Sequence, residues 1–298
     1  MNSTINSLPE DCLCRVISLT SPRDAYNFSL ASTRFRSVVD FDTMWKAFLP
    51  SNYAVILSRT VDPVMFTSKK DLFFKLSESH VLIDEGTMSF GLERSSGAKC
   101  YMISANLLKI FLADAPHFYW RRISFPDSRF REVAMRTFPS RLDIVGKING
   151  KTLSSKIRYG AYLVYKLTET CEDISYTIGK MRQRTSVTVG THVSKRIVFL
   201  EPFYVKYTLA KPRFFLNNLN VKKVLLYEKP ELDNNIEIIA KKRNDGWIEV
   251  EMGTFYIDKQ EDGESIQQRT IDNKELKKYP LKQSIHLSRE LQIFRGIA

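Results

Sequence analysis

Residues 244–253, NDGWIEVEMG, hold the densest set of side chains suited to chemistry: an indole and two carboxylates within five positions. Asp245-Gly246 is a turn signal. Period-two alternation after it puts Ile248, Val250 and Met252 on one strand face, with Trp247, Glu249 and Glu251 on the other. An aromatic face stacks on the apolar face of a sugar while carboxylates accept its hydroxyl protons, so the trio suits glycan binding. The alternative is an outward polar strand edge with a partly covered Trp. As a hydrolase pair, Glu249 and Glu251 would stand roughly 6–7 Å apart at Cα. Both would share one open strand face, however, with no apolar pocket to separate their pKa values.

Nothing else in the sequence points to catalysis. His80, His117, His192 and His286 are isolated, and no GxSxG, HExxH or phosphate-cradling glycine loop is present. Cys12, Cys14, Cys100 and Cys171 are scattered, and Cys12 and Cys14, two apart on a helix, do not share a face. We expect reduced thiols, no metal site and no cofactor. The chain reads as a binding protein rather than an enzyme.

The elements that must position these groups fall into two regimes. From Leu8 to Leu49 the pattern is helical. Pro9 precedes Glu10 and Asp11, acidic residues that favour a helix start, and Leu13, Val16, Ile17 and Thr20 follow on one face. Ser21-Pro22-Arg23-Asp24 is a capping-box pattern opening a second helix through Tyr26, Phe28 and Leu30. Ser32 or Thr33 would cap a third helix, and Asp42 a fourth carrying Met44, Trp45 and Phe48. A segment this short has apolar side chains to spare. They are covered either by the rest of the chain or by a partner.

Residues 51–97 read as a connector with one helix, Lys69 to Ser77, burying Leu72, Phe73 and Leu76. Beyond Lys99 short alternating strands recur between turn signals, the layout of a sandwich. Lys99 to Ser104 is a first strand; Leu142, Ile144 and Ile148 form a second with a kink or bulge at Gly146; Ala161 to Leu167 is a central strand. Val187 and Val189, Ile197 and Phe199, and Val221 to Leu226 continue the series. Glu261 to Lys282 reads as an exposed loop before a last strand at Leu291 to Phe294.

The chain has 298 residues, 43% of them apolar, and a formal net charge of +12. Residues 1–50 carry five basic and five acidic side chains, which leaves 40 against 28 beyond them. The basic side chains are dispersed, which suits solvated strand faces better than a nucleic-acid footprint. No run of 18 apolar residues and no secretory leader pattern is present, so we expect a soluble protein of the cytoplasm or nucleus.

Leu8-Pro9, Ile17, the Ser21-Pro22-Arg23-Asp24 turn, Leu30, Val38 and Trp45 resemble the plant F-box. The resemblance implies an adaptor-docking module. Leu8, Pro9, Leu13, Ile17, Pro22, Leu30, Val38 and Trp45 would bind a Skp-type adaptor, and a cullin through it. The series Lys99 to Ala105, Pro116 to Trp120, Pro126 to Ala134, Gly146 to Ile148, Tyr159 to Val164 and Asp245-Gly246-Trp247 resembles the plant phloem protein 2-like lectin domain. That implies a jelly-roll-like β-sandwich binding N-acetylglucosamine-containing glycans, with Trp120 and Trp247 as stacking platforms and Glu249 and Glu251 beside the latter. Leu112, Arg122 and Arg141 stand where that family carries aromatic residues.

Together the two halves look like the B-type phloem protein 2-like F-box proteins. The fold expected is α+β: an all-α F-box at 1–50, a helical connector at 51–97 and an all-β sandwich lectin domain at 98–298. The function expected is substrate recognition in an SCF-type ubiquitin ligase, the β-domain holding a glycoprotein or other protein substrate. The rival reading is a carbohydrate- or polyanion-binding module without a ligase role. Neither membrane nor nucleic acid is an expected partner.

Overall fold

Hydroxyl caps divide the start of the chain into short helices. The computed structural model describes residues 8–114, 119–136, 142–167, 182–200, 237–258, 265–272 and 287–296. It opens with α1 (Glu10–Ser18), α2 (Pro22–Ala31), α3 (Thr33–Val39) and α4 (Asp42–Phe48). Ser21 Oγ accepts from Asp24 N at 3.1 Å and donates to the Asp24 carboxylate at 2.7 Å, and Ser32 Oγ accepts from Phe35 N at 3.2 Å. The two bonds from backbone N–H groups, of Asp24 and Phe35, satisfy donors that the helix leaves unpaired.

Asp42 differs from the expectation. It is the first helical residue of α4, and its carboxylate instead accepts from Lys69 N at 2.7 Å. That N–H opens α6 (Lys69–Glu78), so Asp42 ties the first helices to the connector. The connector also holds a second helix, α5 (Tyr53–Leu57), built on an apolar patch that sequence periodicity left unassigned. Trp45 joins the two regions: its ring centroid lies 5.2 Å from that of Phe73 and 5.1 Å from that of Phe74, both on α6, and its Nε1 donates to Val39 O at 2.6 Å.

Strands begin earlier than the alternation suggested. β1 (Val81–Ile83) and β2 (Met88–Leu92) pair with each other, and β2 pairs with β3 (Lys99–Ile103), so the end of the connector forms one edge of a sheet. The remaining strands are β4 (Lys109–Ile110), β5 (Trp120–Ile123), β6 (Val133–Arg136), β7 (Ile144–Asn149), β8 (Ile157–Leu167), β9 (Arg182–Val189), β10 (His192–Phe199), β11 (Glu237–Ile239), β12 (Lys241–Lys242), β13 (Ile248–Ile257), β14 (Ser265–Asp272) and β15 (Leu287–Gly296). A seven-stranded sheet runs β1-β2-β3-β15-β8-β13-β12 and a six-stranded sheet β11-β10-β9-β14-β7-β4. Pairing is antiparallel except between β10 and β11. β5 and β6 make a separate two-stranded ribbon.

One apolar core, from Leu13 and Trp45 through Phe90 and Tyr101 to Val187 and Ile266, links the helices to both sheets. β8 is central, flanked by β15 and β13, and is buried on both faces at Leu163, Val164 and Tyr165. Burial pushes the Tyr159 hydroxyl up to about 12.

Two strand expectations are corrected. Residues 265–272, expected in a loop, form β14 in the middle of the six-stranded sheet. Its polar sequence works because Thr270 faces inward, fully buried, and its Oγ1 accepts from Ile144 N at 3.2 Å. Gly146 carries no bulge, since β7 and β14 pair in continuous register through it. The irregularity lies in β13 between Glu251 and Gly253, where a Cβ on Gly253 would come within 2.8 Å of Val187 Cγ2. The expected strand Val221 to Leu226 lies outside the described residues.

Candidate functional site

Two faces carry the chemistry expected of a binding protein. On the helical module, α1 turns Leu13 and Ile17 inward, four apart, and leaves Val16 and Leu19 outward at 44% and 71% exposure. α2 buries Pro22 and Ala25 and leaves Tyr26 and Leu30, four apart, at 50% and 63%. Neighbouring helices thus carry apolar stripes in water, and the fold does not use them.

The residues expected at an adaptor interface divide accordingly. Leu13, Ile17, Pro22, Val38 and Trp45 are buried in the chain's own core, so in this fold they hold the helices and offer a partner no surface. Leu8 is half-buried, its carbonyl accepting from Arg34. Pro9 and Leu30 are exposed. Val16, Leu19 and Tyr26, which the resemblance did not single out, are exposed apolar residues on the same helices or their caps. Their signal was present: α1 has apolar side chains on more faces than one core needs.

A turn of the β-domain clamps this module in place. The Glu93 carboxylate accepts from the N–H and hydroxyl of both Ser95 and Ser96, at 2.5–2.9 Å. Burial alone would raise the Glu93 carboxyl, but these four donors outweigh it and hold the group below the usual carboxylate range. Arg23 N donates to Ser95 O at 3.4 Å, Arg94 lies 5.7 Å from the Phe74 ring centroid, and Gly97, at φ +73°, sits against Phe48 O and Pro22. A side chain at Gly97 would strain the backbone and press on that carbonyl.

The second face surrounds β13. Trp247 lies on the same side as Glu249 and Glu251, as alternation predicts, but that side is closed. Trp247 is 3% exposed, packed with Val133 and Val164 under Ile123 and Phe125, and its Nε1 donates to Asp127 O at 3.2 Å. Trp120 is 5% exposed. Neither indole has an open face for a sugar ring, which corrects their expected role as stacking platforms. Glu251 is ion-paired to Arg196 of the other sheet and accepts from Tyr162 Oη at 3.2 Å; Glu249 lies 3.7 Å from Arg243. Both carboxylates are committed to guanidinium partners. Arg122, where the lectin family has an aromatic residue, donates to Asn106 Oδ1; Arg141 lies outside the described residues. Among the described residues no group of three His, Cys, Asp or Glu is placed to hold a metal, and Cys12, Cys14 and Cys100 form no disulfide.

Comparison with known proteins adds the family. Residues 5–47 match the F-box domain and residues 98–287 match phloem protein 2. The chain belongs to the phloem protein 2 family of F-box proteins. Its relatives include, from Arabidopsis thaliana, F-box protein PP2-B10, 33% identical over 92% of this chain and 89% of its own length. F-box protein VBF is 34% identical over 93% and 95%, and F-box protein PP2-B1 is 33% identical over 86% and 79%. In this F-box protein the two matched regions coincide with the helical module and with strands β3 to β14, the second match ending at the first residue of β15. β1 and β2 precede the phloem protein 2 match, yet they complete its sheet.

Proposed function

We propose that this F-box protein is the substrate-recognition subunit of an SCF-type (Skp-cullin-F-box) ubiquitin ligase, acting in the cytoplasm or nucleus. The observation that carries the reading is the pair of exposed apolar stripes, Val16/Leu19 and Tyr26/Leu30, on a matched F-box. Removing apolar surface from water stabilises a complex by about 25 cal/mol per Å² before the costs of association. The stripes, with Pro9 beside them, dock on a Skp-type adaptor, and the cullin joins through that adaptor. The β-domain holds a protein substrate. We assign no catalytic residue: other subunits transfer ubiquitin, and this chain supplies proximity. The clamp at Glu93 to Gly97 supports the reading, because a firm joint fixes the substrate's position relative to the adaptor. Stacking of a glycan on Trp120 or Trp247 is not part of the proposal, since both are covered.

Co-expression with a plant Skp-type adaptor tests it. The full chain is expected to purify as a stable complex, and the Leu19→Ala/Leu30→Ala variant to lose it while keeping its thermal unfolding midpoint. Retention of the complex by that variant would contradict the assigned docking face.

A further inference from the structure

The outer face of the six-stranded sheet carries more cations than acids. Residues directly opposite each other across an antiparallel sheet point to the same side. Pairing therefore places Lys109, Val145, Arg269, Ser186 and Lys195 in one row across β4, β7, β14, β9 and β10. Lys147, Gln267, Thr188 and Val193 form the next row on one side, and Arg184 stands opposite Ile197 on the other. Lys109, Lys147, Arg184 and Lys195 are exposed. Among the described residues none of the four makes an ion pair or side-chain hydrogen bond. Arg269 is held by Asp143, with Nε to Oδ1 at 2.9 Å and Nη2 to Oδ2 at 2.6 Å, and this bond raises its pKa. No Asp or Glu occupies an outward position on β4, β7, β9 or β10 among the described residues; the acid on this side is Glu237 of β11, opposite Ile197 at the far edge of the sheet. Sequence position alone did not reveal that these side chains share one face.

We propose that this face captures an acidic, extended segment of a substrate protein; the inference rests on the substrate-receptor reading and names the chemistry of the substrate. Charge complementarity selects an anionic partner. Phe199, opposite Arg182, is the one aromatic residue at an outward register position among the described strand residues of this sheet, too few for the row of stacking platforms that the bases of a nucleic acid need. Ser186, Thr188, Gln267 and Asn149 instead supply hydroxyl and amide groups that pair with carboxylates and peptide groups. Spacing sharpens the match. Lys109, Arg269 and Lys195 lie two strands apart in succession, about 10 Å each at a strand separation of about 4.8 Å. A polyproline II chain repeats one face every three residues, about 9.3 Å. Acidic residues at i and i+6 therefore meet Lys109 and Lys195 in step, across the Asp143-paired Arg269, with Lys147 and Arg184 flanking the row on opposite sides.

The test uses the full chain in complex with its adaptor and a fluorescent peptide of three Glu-Pro-Pro repeats, read by anisotropy. Binding is expected, weakening at least about tenfold between about 0.1 and 0.5 M salt. It should be lost in the Lys109→Glu/Lys195→Glu variant and absent for the Gln-Pro-Pro peptide. No binding to the wild type, equal binding to the variant, or tighter binding of an oligothymidine of equal charge would overturn the proposal. Adaptor co-purification is scored in the same samples. If the adaptor is captured and the peptide is not, this inference alone fails. Should the chain not bind the adaptor, the peptide assay is run on the chain by itself: binding there would keep the acidic-segment site and sink only the ligase reading.

Discussion

The helical module and the β13 face carry similar kinds of side chain and meet water differently. Leu19, at the C-cap of α1, and Leu30, on α2, remain in solvent although a core lies one helix face away. Around β13, Trp247 is sealed beneath a ribbon, and Glu249 and Glu251 are matched with Arg243 and Arg196. A binding face is distinguished by what the fold leaves unfinished. The first region is unfinished and the second complete, so the account expects substitutions in the first to alter association and in the second to alter stability.

The largest effect should come from the completed region. Trp247→Ala removes a buried indole and is expected to cost about 3–5 kcal/mol of unfolding free energy, measured by denaturant titration, without selective loss of adaptor capture. An unchanged midpoint would mean that the ribbon does not cover the indole. Next, Gly253→Ala presses a methyl group against Val187, at 2.8 Å for the undisplaced Cβ, and should cost about 1–3 kcal/mol by the same measurement. At the joint, the folded Glu93 carboxyl lies below its unfolded value, so its contribution to stability is complete above the ordinary carboxylate pKa. That contribution is lost as pH falls through the folded value. Thermal midpoints between about pH 2 and 6 should show this loss in the wild type and less of it in Glu93→Gln. Smallest on stability is Leu30→Ala, expected within about 0.5 kcal/mol of wild type. A larger cost would mean that Leu30 belongs to the core and would weaken the comparison.

Local features were legible in the sequence. The Ser21 and Ser32 caps, the Asp245-Gly246 turn with Gly246 at φ +81°, and the central strand through Tyr165 depend on neighbours in the chain. β14 was not legible, because a strand that turns Gln267 and Arg269 outward and whose inward Thr270 is hydrogen-bonded has a loop-like composition. Nor was the closure of Trp247: its hydrogen-bond partner Asp127 lies 120 positions away, and alternation tells only which side a residue takes, not what covers that side. For the same reason the residues named from the F-box resemblance mix buried and exposed positions. An amphipathic pattern names apolar residues, and only packing separates Ile17, buried, from Leu19, exposed.

Hydrogen–deuterium exchange of the full chain, with and without a Skp-type adaptor, tests the central claim most directly. The account predicts slowed exchange across α1 and α2 on complex formation, with β13 and the β5–β6 ribbon unchanged. Protection confined to the β-domain, or a stable complex that leaves α1 and α2 unprotected, would contradict it.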